Sequence, residues 1–247
     1  MTKNGAAIVF DNVYKEFDNK EVLRGLDLQV GWGGVTTILG PSGCGKSVTL
    51  KHVIGILKAE RGRVEVAGCD MNVIKENELL DLRKRIGVLF QSSALFDSMT
   101  VKENIAFGLR MHRKMDEREI SERVQICLNE VELEGAEEMM PVDLSGGMRK
   151  RAALARAIAL SPDFVLYDEP TTGLDPRAAN VVAELIVKLQ SDLDITSVVV
   201  THDLEVAKRI SDDIALLYEG RIAAQGPPEE LERGENEVYK LFVSGQL

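Results

Sequence analysis

"TTILGPSGCGKSVTL", Thr36 to Leu50, is the stretch that decides the fold. An apolar, β-branched run at Val35–Leu39 ends in a glycine-rich loop, and a helix-forming stretch follows. The loop reads Gly-x-x-x-x-Gly-Lys-Ser from Gly40 to Ser47. Glycines let successive backbone N–H groups turn inward around phosphate oxygens, and a helix start adds partial positive charge. Lys46 brings a full charge to the β- and γ-phosphates, and the Ser47 hydroxyl can ligate Mg²⁺. The candidate nucleotide-binding residues are therefore Gly40, Pro41, Ser42, Gly43, Cys44, Gly45, Lys46, Ser47 and Val48. The strand before the loop and the helix after it distinguish this motif from a chance glycine turn.

Outward from the loop, the pattern predicts strands at 6–13, 22–30, 63–66, 86–90, 164–167, 197–200, 214–218 and 221–224. A helix runs from the loop to about Leu57. Residues 100–160 read as helical, with Thr100 and Glu103 forming a capping box and Ser145 capping the last helix. Strands alternating with helices imply an α/β protein with a mostly parallel sheet covered on both faces. The central helical block reads as an insertion into it. In "FVLYDEP", Phe164 to Pro170, four apolar residues place Asp168 at the carboxyl end of a buried strand, where open α/β sheets bind ligands. Asp168 would hold Mg²⁺, and Glu169 would face the attacking water as general base. Two adjacent acids with different tasks argue for hydrolysis rather than nucleotide storage.

The totals agree. A chain of 247 residues has length for a large core, and 45% hydrophobic with 28% charged residues describes a soluble globular protein. The balance of 30 Lys+Arg against 40 Asp+Glu, net −10, argues against a nucleic-acid surface. No apolar run approaches the roughly 20 residues of a membrane span, and the first residues show no secretory leader. Cys44, Cys69 and Cys127 lack metal-site spacing and read as cytosolic free thiols.

"LSGGMRKRAALARA", Leu144 to Ala157, carries Arg149, Lys150, Arg151 and Arg156 and no acid. Positive charge near a helix start opposes the dipole, so something negative should meet this end.

"LSGG", behind the phosphate loop and ahead of "DEPTTGLDP", resembles the ABC ATPase family over nearly the whole chain. The resemblance implies a P-loop NTPase (RecA-like) core with an antiparallel β subdomain and an inserted helical subdomain. It implies a single domain, 1–247, with 1–90 and 162–230 as nucleotide-binding core, 91–161 as helical subdomain and 231–247 as C-terminal extension. The cofactors implied are ATP and Mg²⁺. In a homodimer, Ser145, Gly146 and Gly147 would meet the γ-phosphate of ATP bound to the opposite subunit. Asp175 matches the loop that crosses between subunits. Gln91 matches the Q-loop residue that senses Mg²⁺ and the attacking water, completing a metal set with Ser47 and Asp168. His202 matches the switch histidine at the γ-phosphate. Phe17 sits where the family stacks an aromatic on adenine, with Tyr14 nearby. His52 and His112 match no family role and read as structural. The basic residues after the signature can add to the positive field, but solvation or local salt bridges is the expectation for most.

Two positions depart from the family pattern: Met148 stands where Gln is usual, and Val48 where Thr is commoner. With "LFQSSALFDSMTVKENIAF", the first departure narrows the resemblance to ATPases of lipid transporters that work with MCE proteins, the Mla type. "NEVYKLFVSGQL" is similar to that group too. This implies a transmembrane permease, an MCE-type lipid-binding protein and a small STAS-like subunit as partners, with no nucleic acid. The place implied is the cytoplasmic face of the inner membrane. Leu95, Phe96 and Met99 lie where the family's permease groove forms. Met99 is expected to tuck inward; for Leu95 and Phe96, core and groove stay open. An FtsE-like cell-division ATPase, or the ATPase of another ABC transporter, is the alternative. A GTPase is excluded, because Asn19-Lys20 is followed by Glu21-Val22 rather than by N-K-x-D.

Overall fold

The structure, a computed structural model, describes residues 5–246. The leader reading at Met1–Asn4 and the last residue of the C-terminal extension, Leu247, lie outside them. In chain order the elements are β1 (Ile8–Phe17), β2 (Lys20–Val30), β3 (Val35–Leu39), α1 (Lys46–Val53), β4 (Arg61–Val66), β5 (Cys69–Asp70) and α2 (Glu76–Arg83). Then come β6 (Ile86–Leu89), α3 (Val101–His112), α4 (Glu117–Glu130), α5 (Gly146–Ile158), β7 (Phe164–Asp168) and α6 (Pro176–Leu193). Last are β8 (Thr196–Thr201), α7 (Leu204–Ile210), β9 (Asp213–Tyr218), β10 (Arg221–Gly226), α8 (Pro228–Arg233) and α9 (Glu237–Val243). They gather into two compact units, one of residues up to Asp81 with those from Thr196 on, the other Leu82–Ile195.

The first unit holds an antiparallel layer in the order β2-β1-β4-β5 and a layer in which β3 lies between β8 and β9, parallel to both. β10 pairs antiparallel with β9. All five residues of β3 are buried, which is why it reads as an unbroken apolar and β-branched run rather than an alternating one. α1 stops at Val53, short of Leu57. Gly55 adopts φ 67, and its N–H donates back to the His52 carbonyl while Ile56 N–H reaches that of Lys51. This left-handed glycine ends the helix. α8 and α9 seat Leu231 and Tyr239 against Leu39, Ile214 and Leu216. His52 is fully buried beside Phe10, its Nδ1 2.8 Å from the Val48 carbonyl. Burial pushes its pKa down, in keeping with a structural role.

In the second unit β6 and β7 pair in parallel, from Ile86↔Phe164 to Leu89↔Tyr167. The helical run expected over 100–160 is divided. Thr100 and Asp116 each head a helix through a full capping box, and Glu132 and Gly135 take positive φ between α4 and α5. The sequence reading also missed α2 and β5. α2 buries only Leu79 and Leu82 among its apolar residues, and β5 has only two residues, so neither has a strong period. α5 crosses β6 very closely: a Cβ added at Gly87 would stand 2.4 Å from the Ala157 carbonyl oxygen. Gly87→Ala should therefore cost about 1–3 kcal/mol through overpacking. A thermal melt should show a loss of about 2–4 °C per kcal/mol; an unchanged midpoint would mean that the helix shifts freely.

Candidate functional site

The first unit carries the phosphate loop. α1 opens at Lys46, after Gly45 at φ 112. Gly43 is also left-handed, at φ 81, so two of the loop's turns need residues without a Cβ. Gly40 is needed for a different reason: a Cβ there would lie 2.3 Å from the Leu217 carbonyl oxygen. Lys46 is 6% exposed, and its Nζ donates to the carbonyls of Gly40 at 2.8 Å and Pro41 at 3.1 Å. The ammonium is thus anchored inside the loop. Backbone N–H groups at a helix start, a buried cation and the Ser47 hydroxyl form a donor set suited to a polyphosphate.

β3 and β8 pair in register with Leu39 opposite Thr201. Gly40 and His202 therefore leave neighbouring strands side by side at their carboxyl ends, the ligand edge of an α/β sheet. His202 is exposed there, ahead of Asp203, which caps α7. At the end of the β1 strand Phe17 is 41% exposed. Tyr14 lies under the Arg61 guanidinium, 4.0 Å from its ring centroid. Phe17 carries a cation too, Lys15 Nζ 5.3 Å from its ring centroid, but it is the more exposed of the two aromatics.

The second unit carries the acids. The β6–β7 register sends Phe90–Gln91 and Asp168–Glu169 out side by side. The first four residues of β7 are buried and Asp168 is half-buried. Glu169 adopts φ 48 directly before Pro170, a left-handed conformation that costs a non-glycine residue about 1–3 kcal/mol. Thr172 Oγ1 donates to Glu169 Oε2 at 3.0 Å. After Gln91, which is exposed, Ser93 and Ala94 are left-handed in succession, at φ 66 and 49. Among the described residues no three His, Cys, Asp or Glu gather as a metal cluster. The expected donors Ser47, Gln91 and Asp168 include one acid and offer only oxygens, the chemistry of a hard cation that keeps much of its water.

Ser145 caps α5 by accepting from Met148 N–H at 3.3 Å. Asp175 caps α6, its Oδ1 accepting from Arg177 N–H at 3.0 Å and Ala178 N–H at 3.1 Å. Both helix starts line one groove of about 210 Å³, with Ser145, Gly147, Met148, Arg151, Asp175 and Arg177 on its walls. A Cβ on Gly147 would come within 3.1 Å of Ala178 Cβ, so the second signature glycine permits this approach of α5 to α6.

The basic residues after the signature meet expectation only in part. Arg149 is exposed, Arg151 and Arg156 are half-buried and Lys150 is buried, and their contacts run to backbone carbonyls or a ring rather than to carboxylates. Arg149 donates to the Leu144 carbonyl and Arg151 to that of Glu132. Arg156 lies over the Phe96 ring, 5.6 Å from its centroid. Lys150 is 4% exposed and reaches the Gln91 carbonyl at 2.6 Å. Backbone carbonyls here need donors, and α5 supplies them. The signal was present: Lys150, Leu154 and Ile158 recur at four-residue intervals on the buried stripe of one helix. Asn104 was also missed. Wholly buried, it accepts from Phe96 N–H at 2.8 Å and donates to the Phe96 carbonyl at 3.1 Å.

A phosphate loop opening a helix, an acidic pair ending a buried strand and a capped glycine signature define a P-loop nucleotide hydrolase. A family model described as ABC transporter matches residues 23–172. The chain is 40% identical over 242 residues to the probable ribonucleotide transport ATP-binding protein mkl of Mycobacterium leprae, spanning 98% of this chain and 70% of that protein. It is 40% identical over 244 residues to the intermembrane phospholipid transport system ATP-binding protein MlaF of Haemophilus influenzae, spanning 99% of this chain and 88% of that protein. Among solved structures it resembles the dimeric, post-hydrolysis ATP-binding cassette MJ0796 bound to ADP and Pi. The TM-score is 0.81 at 31% identity, over 90% of this chain and 98% of that one. The chain belongs to the ABC transporter family and is an ATPase with the ABC ATPase fold.

Proposed function

We propose that this chain is the ATP-hydrolysing motor of a transporter that moves phospholipid between envelope membranes. It acts as a homodimer bound to a permease at the cytoplasmic face of the inner membrane, with an MCE-type lipid-binding protein and a STAS-like subunit in the complex. The observation that carries this reading is the likeness to MlaF, which runs through 99% of this chain and 88% of that relative. The mkl likeness leaves more of its relative unmatched, at 70% coverage. Among the described residues no helix is long and apolar enough to cross a membrane. Residues 1–90 and 162–230 would form the nucleotide-binding core, with 91–161 as the helical part and the remainder as an extension.

In this reading Gly40 to Val48 hold the phosphates and Phe17 stacks on adenine. Ser47, Gln91 and Asp168 would hold Mg²⁺, which would supply positive charge to the phosphates. Glu169 takes the proton of the attacking water, and His202 contacts the γ-phosphate. Ser145, Gly146, Gly147 and Asp175 complete the partner subunit's site. Purification with tagged chain from its own cells tests the assignment. A permease and an MCE-type protein carrying phospholipid are expected. An FtsX-like partner, or ribonucleotide instead of lipid, would overturn it.

The permease contact has a local test. Phe96 is 42% exposed, its ring centroid 4.9 Å from that of Phe107, itself 39% exposed. Leu95 and Met99 are half-buried. Because Asn104 holds the Phe96 backbone from both sides, the loop does not depend on the ring. Phe96→Ala should leave the melting temperature and ATP binding near wild type but weaken a pull-down with the permease, by about 2 kcal/mol if the ring is a hot spot. Melting far below wild type would place Phe96 in the core instead.

A further inference from the structure

The nearly buried Lys150 ammonium meets two separate loops of the second unit at their backbones. Its Nζ is 2.6 Å from the Gln91 carbonyl oxygen and 3.5 Å from those of Phe90 and Glu169. An ammonium has three N–H groups and no acceptor, so it can serve several carbonyls at once. The choice of carbonyls matters. A salt bridge to Glu169 would occupy the carboxylate that the proposed chemistry needs. A bond to the carbonyl holds the chain and leaves the side chain for other work. Burial pushes the Lys150 pKa down, while the carboxylates of Asp168 and Glu169 draw it back up.

Both loops take an unfavourable backbone path beside this contact. Glu169 is left-handed at φ 48, and Ser93 and Ala94 follow Gln91 at φ 66 and 49. Such conformations persist where surrounding contacts over-determine them. Lys150 also sits in α5, the helix that Ser145 caps. A helix is rigid over this distance, so the signature residues and the lysine move as one body.

We propose that Lys150 is a positioning residue for hydrolysis, clamping the backbones of Gln91 and Glu169 to the helix that carries the Ser-Gly-Gly signature. This rests on the reading of Glu169 as general base. A phosphate drawn to Ser145 then sets the position of the base through α5 and two backbone contacts.

The test compares Lys150→Met, which fills the volume without a donor, with Lys150→Arg, which keeps charge and donors. Both are made in the full chain. For Lys150→Met, nucleotide affinity should stay within about twofold of wild type while kcat falls about ten- to a hundredfold, as expected for a misplaced reacting group. Amide hydrogen exchange should accelerate at residues 91–94 and 169–172 together, with α5 still protected. Lys150→Arg should recover part of kcat. Wild-type turnover in Lys150→Met, acceleration in fewer than both loops, exchange spreading through α5, or an arginine variant no better than methionine would each overturn the clamp. Glu169→Gln run alongside separates the two ideas. If it turns over normally, the base assignment fails, while the exchange pattern still judges the clamp.

Discussion

Glu169→Gln should hydrolyse ATP about 10²- to 10⁴-fold more slowly than wild type while still binding it. The substitution preserves shape and removes the proton acceptor. The hydrogen bond from Thr172 Oγ1 to Oε2, 3.0 Å in this structure, remains available to an amide oxygen. The backbone before Pro170 is unchanged, so the left-handed turn at φ 48 should persist. ATP then stays intact between two subunits, and the variant should accumulate as a closed dimer on size exclusion. Lys46→Ala should behave differently and lose ATP binding, because it removes the cation anchored in the loop. Equal turnover of wild type and Glu169→Gln, measured with the permease present, would falsify the role of Glu169.

The parts of the site that depend on short-range chemistry were legible in the sequence. A glycine-lysine-serine loop between a strand and a helix has one physical reading, and β3 and α1 flank it as expected. The apolar run before Asp168 foretold a strand buried on both faces. Less legible was whatever depended on tertiary approach. Gly87 looks like any glycine in a strand until α5 is found to lie against it. Lys150 was read as part of a solvated basic face because its partners are backbone carbonyls, which leave no trace in side-chain composition. Its spacing from Leu154 and Ile158 was the available clue. Phe17 was the candidate in sequence, with Tyr14 nearby; both rings carry a cation, and what distinguishes Phe17 is its greater exposure. Helix ends were misplaced where a positive φ, as at Gly55, stopped a run whose residues would otherwise have continued it.

Mixing Lys46→Ala chains with Ser145→Arg chains should restore ATPase activity that neither has alone. The reasoning starts from the groove that Ser145 and Asp175 share at the starts of α5 and α6. The start of α5, with Arg151 and Arg177 beside it, favours an anion, whereas the start of α6 is already capped by the Asp175 carboxylate; Ser145 is exposed at the mouth. If that anion is the γ-phosphate of ATP on the other subunit, each site needs the phosphate loop of one chain and the signature of its partner. A mixed dimer then has one site damaged twice and one site intact. If each chain completed its own site, both sites in the mixed dimer would stay damaged and mixing would gain nothing. The arginine variant suits this test because position 145 is exposed. Loss of the Ser145 cap costs only about 1 kcal/mol of helix stability, so the chain should fold and pair. Differently tagged chains, captured sequentially, establish that mixed dimers have formed. Activity of that purified fraction no higher than either parent would rule out a shared site and leave the groove as a feature of α5 and α6 packing alone.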